Sequence, residues 1–88
     1  MKNEQLEETL IALRKEVSKL SDLDRESKGK LESLIQSLEK KLEIPNDVEY
    51  HHSLTEGLSD SLTHFEVSHP RLTGILNDVM MALSNMGI

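Results

Sequence analysis

Residues 65–88 read FEVSHPRLTGILNDVMMALSNMGI, and this stretch decides the fold because it combines strong helix breaks with a strong apolar pattern. Proline suits the first position of a helix, where its missing N–H is not needed, and it keeps the preceding residue out of helical geometry. The sequence therefore predicts a helix that ends near Val67, a break at Ser68 and His69, and a last helix from Pro70 to about Asn85.

Both ends of the last helix carry further signals. Ser68 is an alternative N-cap, which would let Val67 pack on Leu72 as a hydrophobic staple, and the sequence does not choose between this start and Pro70. His69 is interpreted as part of the helix start. Gly87 suits the left-handed position that follows many helices.

The last helix has two uncharged sides. One is a broad apolar face made by Leu72, Ile75, Leu76, Val79, Met80, Leu83 and Met86. The opposite side carries small or apolar residues, namely Gly74, Asn77, Met81 and Ser84. Because a solvated helix face usually carries charge, we expect this helix to pack on both sides, against its own chain and against either the first helix or a partner subunit.

The first half of the chain, residues 1–44, predicts a charged helical hairpin. Apolar residues recur at steps of three and four in two segments, predicted as helices at 4–20 and 23–43: Leu6, Leu10, Leu13, Val17 and Leu20, then Leu31, Ile35, Leu38 and Leu42. The register slips between them across a stretch rich in capping residues, which favours a hairpin over one long rod.

The Leu-heptad seams of this hairpin have three interpretations. In the first, the seams pack on the other helices of the same chain. In the second, they form a coiled-coil dimer with Val17 and Ile35 at a positions. In the third, they are exposed and bind a partner peptide. We favour a mixture of the first two, in which the hairpin also contributes to a dimer.

The second half predicts another helical hairpin, over residues 53–88. Pro45 ends the second helix, and a linker runs to about His52. Ser53 and Glu56 match the capping box, in which a hydroxyl and a carboxylate each bond a free N–H at a helix start. A third helix is therefore expected at 53–67.

Composition limits the function classes. The chain has 88 residues, no cysteine and a net charge of −6. Residues 45–88 contain six acidic residues and one basic residue, Arg71. Nucleic-acid binding needs a clustered basic face, so nucleic acid is a poor partner. The chain start lacks the apolar core of a signal peptide, and no apolar run is long enough for a membrane span. We expect a cytoplasmic protein without a membrane partner.

Four histidines are the candidates for metal binding or acid–base chemistry. A metal site would require His51 or His52 to approach His64 with Glu56 or Glu66 as an oxygen ligand. The spacing matches no known metal motif, so the preferred interpretation is solvent-exposed histidines and no cofactor. Ser68 and His69 do not predict a catalytic pair, because adjacent side chains rarely point at one another.

The order of parts resembles a family of short bacterial proteins known only as a domain of unknown function. The resemblance lies in three stretches: Leu23-Asp24-Arg25-Glu26-Ser27 of the hairpin, the break around Ser68-His69-Pro70, and the end at Ala82-Leu83-Ser84-Asn85-Met86-Gly87-Ile88. It covers nearly the whole chain. It implies a full-length small helical protein with no catalytic residues to carry over.

The sequence thus predicts one all-α domain, residues 1–88, of four helices arranged as two antiparallel hairpins in a small bundle. The preferred function is a non-enzymatic interaction or structural protein that forms a homodimer, or binds another protein, through Gly74, Asn77, Met81 and Ser84. The alternative is a regulatory metal or small-ligand binding module that uses the histidines.

Overall fold

The computed structural model describes the backbone of residues 2–86 and the side chains of residues 4–86. It has four helices: α1 (Lys2–Lys19), α2 (Arg25–Glu43), α3 (Val48–Phe65) and α4 (Pro70–Met86). No strand occurs in this part of the chain. The predicted all-α fold with four helices is confirmed, and Gly87, assigned from sequence to the end of the last helix, lies outside the described residues.

The helices form one antiparallel bundle. Each helix contacts its neighbours in sequence, and α4 closes the bundle by packing on α1, which is the most extensive of the four interfaces. The diagonal pairs α1–α3 and α2–α4 do not meet. Short connections require successive helices to run antiparallel, so the two predicted hairpins are present and together enclose one core, in a body of 35 × 22 × 19 Å.

The core is aliphatic and comes from the predicted stripes. Its buried members are Leu6, Leu10, Leu13, Leu31, Leu34, Leu38, Leu54, Leu58, Phe65, Leu72, Leu76, Val79, Ala82 and Leu83. They recur at three- and four-residue steps, which places them on one side of each helix. The leucine seam of the first hairpin faces this core, and the interpretation that α1 exposes it to a partner peptide is wrong.

Helix α2 begins where an aspartate can cap it. Asp24 has extended backbone geometry, and its carboxylate accepts a hydrogen bond from the Ser27 N–H at 2.7 Å. This bond satisfies one of the free N–H groups at the helix start. The Ser27 N–H, and secondarily the Ser27 hydroxyl, hold the pKa of Asp24 below its ordinary value.

The predicted start of α3 is wrong by five residues. The helix begins at Val48, and the cap is Asp47, whose carboxylate accepts from the Tyr50 N–H at 2.9 Å. Ser53 lies in the second turn, and Glu56 is an exposed side chain 3.8 Å from His52 Nε2. The earlier start is stabilised by α2, because the Tyr50 hydroxyl donates to the Ser37 carbonyl at 2.7 Å and holds the first turn in place.

The break before α4 follows the proline. Helix α3 ends at Phe65, two residues earlier than predicted, and α4 begins at Pro70. The His69 carbonyl accepts the Thr73 N–H at 2.9 Å, which makes His69 the residue at the helix start, as predicted. Val67 is 91% exposed. It therefore does not form the staple that the alternative start at Ser68 requires.

The position of the α3 cap can be tested with two alanine variants. Asp47→Ala removes the observed cap and should lower the free energy of unfolding by about 1 kcal/mol. Ser53→Ala replaces an interior helical residue by a better helix former and should change the free energy of unfolding by less than about 0.5 kcal/mol. Urea unfolding followed by circular dichroism measures both. A larger loss of unfolding free energy for Ser53→Ala than for Asp47→Ala would contradict the cap at Asp47 and support a helix start at Ser53.

Candidate functional site

The outer face of α4 consists of Gly74, Asn77, Met81 and Ser84. All four are exposed, and Met81, at 56% exposure, is one of the few large hydrophobic side chains on the surface of the described residues. The opposite side of the helix holds Leu72, Leu76, Val79 and Leu83 at 0% exposure. Helix α4 therefore has a buried side and an exposed side, and the exposed side also includes Arg71 and Asp78.

Helix α1 covers the flank of α4 and leaves the outer face open. Arg71 Nε lies 3.3 Å from Glu16 Oε1 near one end of α4, and the Asn85 side chain donates to Gln5 Oε1 at 2.8 Å near the other. Helix α1 therefore packs on α4 but does not cover the uncharged side, for which the sequence left open either the first helix or a partner subunit. A Cβ added to Gly74 would meet no atom within 4 Å, so packing within one chain does not explain a glycine there.

The histidines of α3 do not converge. His51 and His64 lie 13 positions apart on one helix, which separates them by roughly 20 Å. His52 is exposed beside Glu56, and His64 Nε2 lies 3.1 Å from Ser27 Oγ. Across residues 4–86, no group of three histidine, aspartate or glutamate side chains has the geometry to hold a metal ion. The approach of His51 or His52 to His64 that a metal site would require does not occur.

A buried lysine and a half-buried histidine fill the corner between α2 and α3. The Lys41 side chain is fully buried and its ammonium donates to the Pro45 carbonyl at 2.8 Å. Burial lowers the pKa of Lys41, against the attraction of Asp47. His51 Nδ1 is buried without a partner among the described residues, and burial, the nearby Lys41 charge and His52 lower the pKa of His51.

Two sequence signals conflict at Lys41: its four- and three-residue spacing from Ser27, Leu31, Leu34 and Leu38 places it on the buried side of α2, whereas its charge and its neighbour Lys40 predict exposure. Its place beside the α2 C-terminus and under the connecting turn is a consequence of tertiary packing. A cation there also interacts favourably with the free carbonyl groups at the helix end.

Ser68, His69 and Asp22 form a hydrogen-bonded line at one end of the bundle. His69 Nε2 lies 3.2 Å from Asp22 Oδ2, and Ser68 Oγ lies 3.0 Å from His69 Nδ1. With Nε2–H donating to the carboxylate, the Ser68 hydroxyl donates to Nδ1. The expectation that Ser68 and His69 point apart is wrong. The line ties the α1–α2 turn to the α3–α4 turn, and the His69 ring packs edge-on against Phe65 at 5.8 Å.

A groove of about 400 Å³ runs between α2 and α3. Its lining combines the charged Glu26, Lys30 and Asp60 with Leu34, Leu54 and Tyr50. The small members of the lining are Ser33, Ser37, Ser53, Gly57 and Ser61. Sequence reasoning missed it. The available signal was the four-residue spacing of small residues in both helices, 33 with 37 and 53 with 57. A second concave surface, of about 320 Å³, lies between α1 and α2 around Leu10, Ile11 and Leu42.

The His51 environment predicts a pH-dependent stability. Because the pKa of folded His51 lies below the ordinary 6.5, the unfolded chain binds the proton more readily, and the free energy of unfolding should fall as the pH drops below about 6.5. His51→Gln should flatten this slope, whereas His52→Gln should leave most of it, because His52 is the last of the three causes that lower the pKa of His51. Urea unfolding between pH 7.5 and 5.5, above the titration of ordinary carboxylates, measures it. Equal slopes in the native protein and His51→Gln would contradict the assignment.

Comparisons with known proteins give a family but no activity. No curated protein and no solved structure matches the chain. No helix among residues 2–86 has the length and apolar character that crossing a bilayer requires. The model of one family, described as a domain of unknown function (DUF4404), matches residues 6–88. With nearly the whole chain matched, the protein belongs to the DUF4404 family.

Proposed function

We propose that this protein is a non-enzymatic helical interaction protein that self-associates through the outer face of α4. The observation that carries the proposal is the exposed set of small or apolar residues on α4, Gly74, Asn77, Met81 and Ser84, in a chain of which 30% of the residues are charged. Arg71 and Asp78 are exposed beside this set. The occupant we propose is a second copy of the chain, so that the biological unit is a homodimer.

The other helices show what a solvated face looks like in this protein. The outward residues of α1 include Glu8 and Lys15, and those of α3 include Glu56 and Asp60. On α4 the outward positions include glycine, asparagine, methionine and serine, with Arg71 and Asp78 as the charged ones. Burying the exposed half of Met81 would contribute roughly 1 kcal/mol per subunit, and the loss of hydration at the neighbouring Asp78 would oppose it.

Small residues also favour close approach of a second helix. Gly74 and Ser84 leave room for another backbone, because neither projects a long side chain. Gly74 costs about 1 kcal/mol relative to alanine in an exposed helix interior. Contact with a partner would offset this cost, and packing within the chain does not, since the space around Gly74 is open.

Replacement of one exposed side chain tests the proposal. Met81→Glu places a charge at the centre of the outer face and should abolish or strongly weaken self-association without unfolding the subunit. Val48→Glu is the matched control, because Val48 is 58% exposed against 56% for Met81 and lies at the start of α3. Sedimentation over a wide concentration series measures the association, and circular dichroism checks the fold.

Two results would contradict the proposal. One is a native protein that remains a monomer at the highest concentration. The other is an equal effect of Met81→Glu and Val48→Glu, which would show that association does not depend on the outer face of α4.

A further inference from the structure

The outer stripe of α1 has opposite charges in its two halves. Glu8 and Lys15 are exposed and lie two helical turns apart on the side of α1 that faces away from the core. Neither forms an ion pair with another described residue. Ile11, 51% exposed, lies between them. Glu4 and Lys19 extend the pattern, with acid towards the N-terminus and base towards the C-terminus.

A two-fold axis converts this pattern into attraction. When a helix pairs antiparallel with a copy of itself about the point between positions 11 and 12, Glu8 meets the partner's Lys15, and Lys15 meets the partner's Glu8. A parallel pairing would place like charges together, which is unfavourable. The charges of α1 therefore distinguish one orientation of a second copy from the other.

The outer face of α4 is also self-complementary, about a point that is level with the midpoint of the α1 charge pattern. Gly74 and Met81 are equally distant from the midpoint between Asn77 and Asp78. An antiparallel copy therefore places the projecting Met81 of each subunit over the partner's Gly74, where the space above the backbone is open. Asn77 lies next to the partner's Asn77 beside the axis.

The two midpoints coincide in the bundle. Gln5 of α1 bonds to Asn85 of α4, and Glu16 lies beside Arg71, so position 5 is level with 85 and position 16 with 71. Interpolation between these two contacts places positions 11 and 12 of α1 beside Asn77. One axis through this point satisfies the charge pairing of α1 and the fit of Met81 on Gly74 together.

We propose, building on the self-association through α4, that two copies meet face to face and antiparallel about this axis, with α1 on the partner's α1 and α4 on the partner's α4. The charged stripe of α1 then selects the orientation, and the uncharged face of α4 supplies the apolar contact. The interface is isologous, so the assembly closes as a dimer instead of growing into a filament.

The area fits a weak but specific dimer. Helix α4 has 17 residues and is about 25 Å long. Two such helices, each about 10 Å wide, present roughly 500 Å² per subunit, or about 1,000 Å² in total, which is near the lower limit of specific interfaces. One contact opposes association, since Asp78 lies beside the axis and approaches the partner's Asp78. Asp78→Asn should therefore tighten the dimer.

Charge reversal tests the orientation. Glu8→Lys and Lys15→Glu should each turn two attractive contacts into two repulsive ones and weaken self-association about tenfold. An equimolar mixture of the two variants should associate about as tightly as the native protein, because every contact in the mixed dimer pairs a lysine with a glutamate. Sedimentation of each variant and of the mixture measures this, with circular dichroism as the check on folding.

Net charge gives an internal control. The native chain carries −6, so Glu8→Lys, which changes the charge by +2, lowers the repulsion between subunits. If only overall charge mattered, this variant would associate more tightly. The proposal requires weaker association for it and recovery on mixing with Lys15→Glu.

Comparison with Met81→Glu separates this inference from the proposed function. If Met81→Glu abolishes association while the charge reversals have no effect, or the mixture does not recover, the outer face of α4 is the interface and the antiparallel arrangement is wrong. If Met81→Glu also has no effect, the proposed function fails and the arrangement fails with it.

A cysteine pair provides an independent measurement, because the native chain has no cysteine. In the antiparallel dimer, Asn77→Cys should form a disulfide-linked dimer on oxidation, since the two positions flank the axis at a distance within reach of a disulfide. Met81→Cys should not, since its two copies lie about 10 Å apart along the helix axis, from seven residue steps. Efficient cross-linking of Met81→Cys alone would overturn the arrangement.

Discussion

The contact between α1 and α4 is the interaction on which the structure depends. The other three helix pairs are neighbours in sequence and are held by short turns, whereas α1 and α4 are joined only through the rest of the chain. Their contact closes the bundle and completes the burial of Leu6, Leu13, Leu76 and Leu83, each at 0% exposure. Without it, two hairpins would each leave an apolar side in water, which an 88-residue aliphatic chain cannot easily tolerate.

Two polar contacts fix the register of this closure. Glu16 is largely buried and pairs with Arg71, whose own side chain is 79% exposed. Gln5 and Asn85 make a second link near the opposite ends of the helices. The stabilising energy of exposed polar pairs is small. Their value lies in selecting one alignment among the several that a leucine-rich interface allows, and this alignment brings the midpoint of α1 beside Asn77.

Much of the fold was predictable because it depends on local patterns. The three- and four-residue spacing of leucines identifies the buried side of α1 and α2, and Pro70 fixes the start of α4. The start of α3 was not predictable, because Asp47 and Ser53 are both good caps and the choice depends on the Tyr50 hydroxyl reaching Ser37 across the bundle. The hydrogen bonds of Lys41 and of the Ser68–His69–Asp22 line were not predictable for the same reason. Their partners are either distant in sequence or brought close by the geometry of a turn. The grouping of Gly74, Asn77, Met81 and Ser84 on one side of α4 follows from the helical period, but the expected packing of this side is not present within the chain, and Arg71 and Asp78 are exposed beside it.

The concave and flat surfaces of the bundle differ in what they can bind. The α2–α3 groove is lined by hydroxyl groups and by the charged Glu26, Lys30 and Asp60, all of which water can solvate, and Gly57 makes no close contact in the chain. The α1–α4 side instead combines an apolar projection, a glycine and a charge pattern that is complementary to itself. In the proposed dimer, the charges of α1 would make the orientation specific and the small area would keep the association reversible. For a chain whose core is thin and aliphatic, a dimer on this side would also protect the closing contact between α1 and α4, so that folding stability and self-association would depend on the same pair of helices.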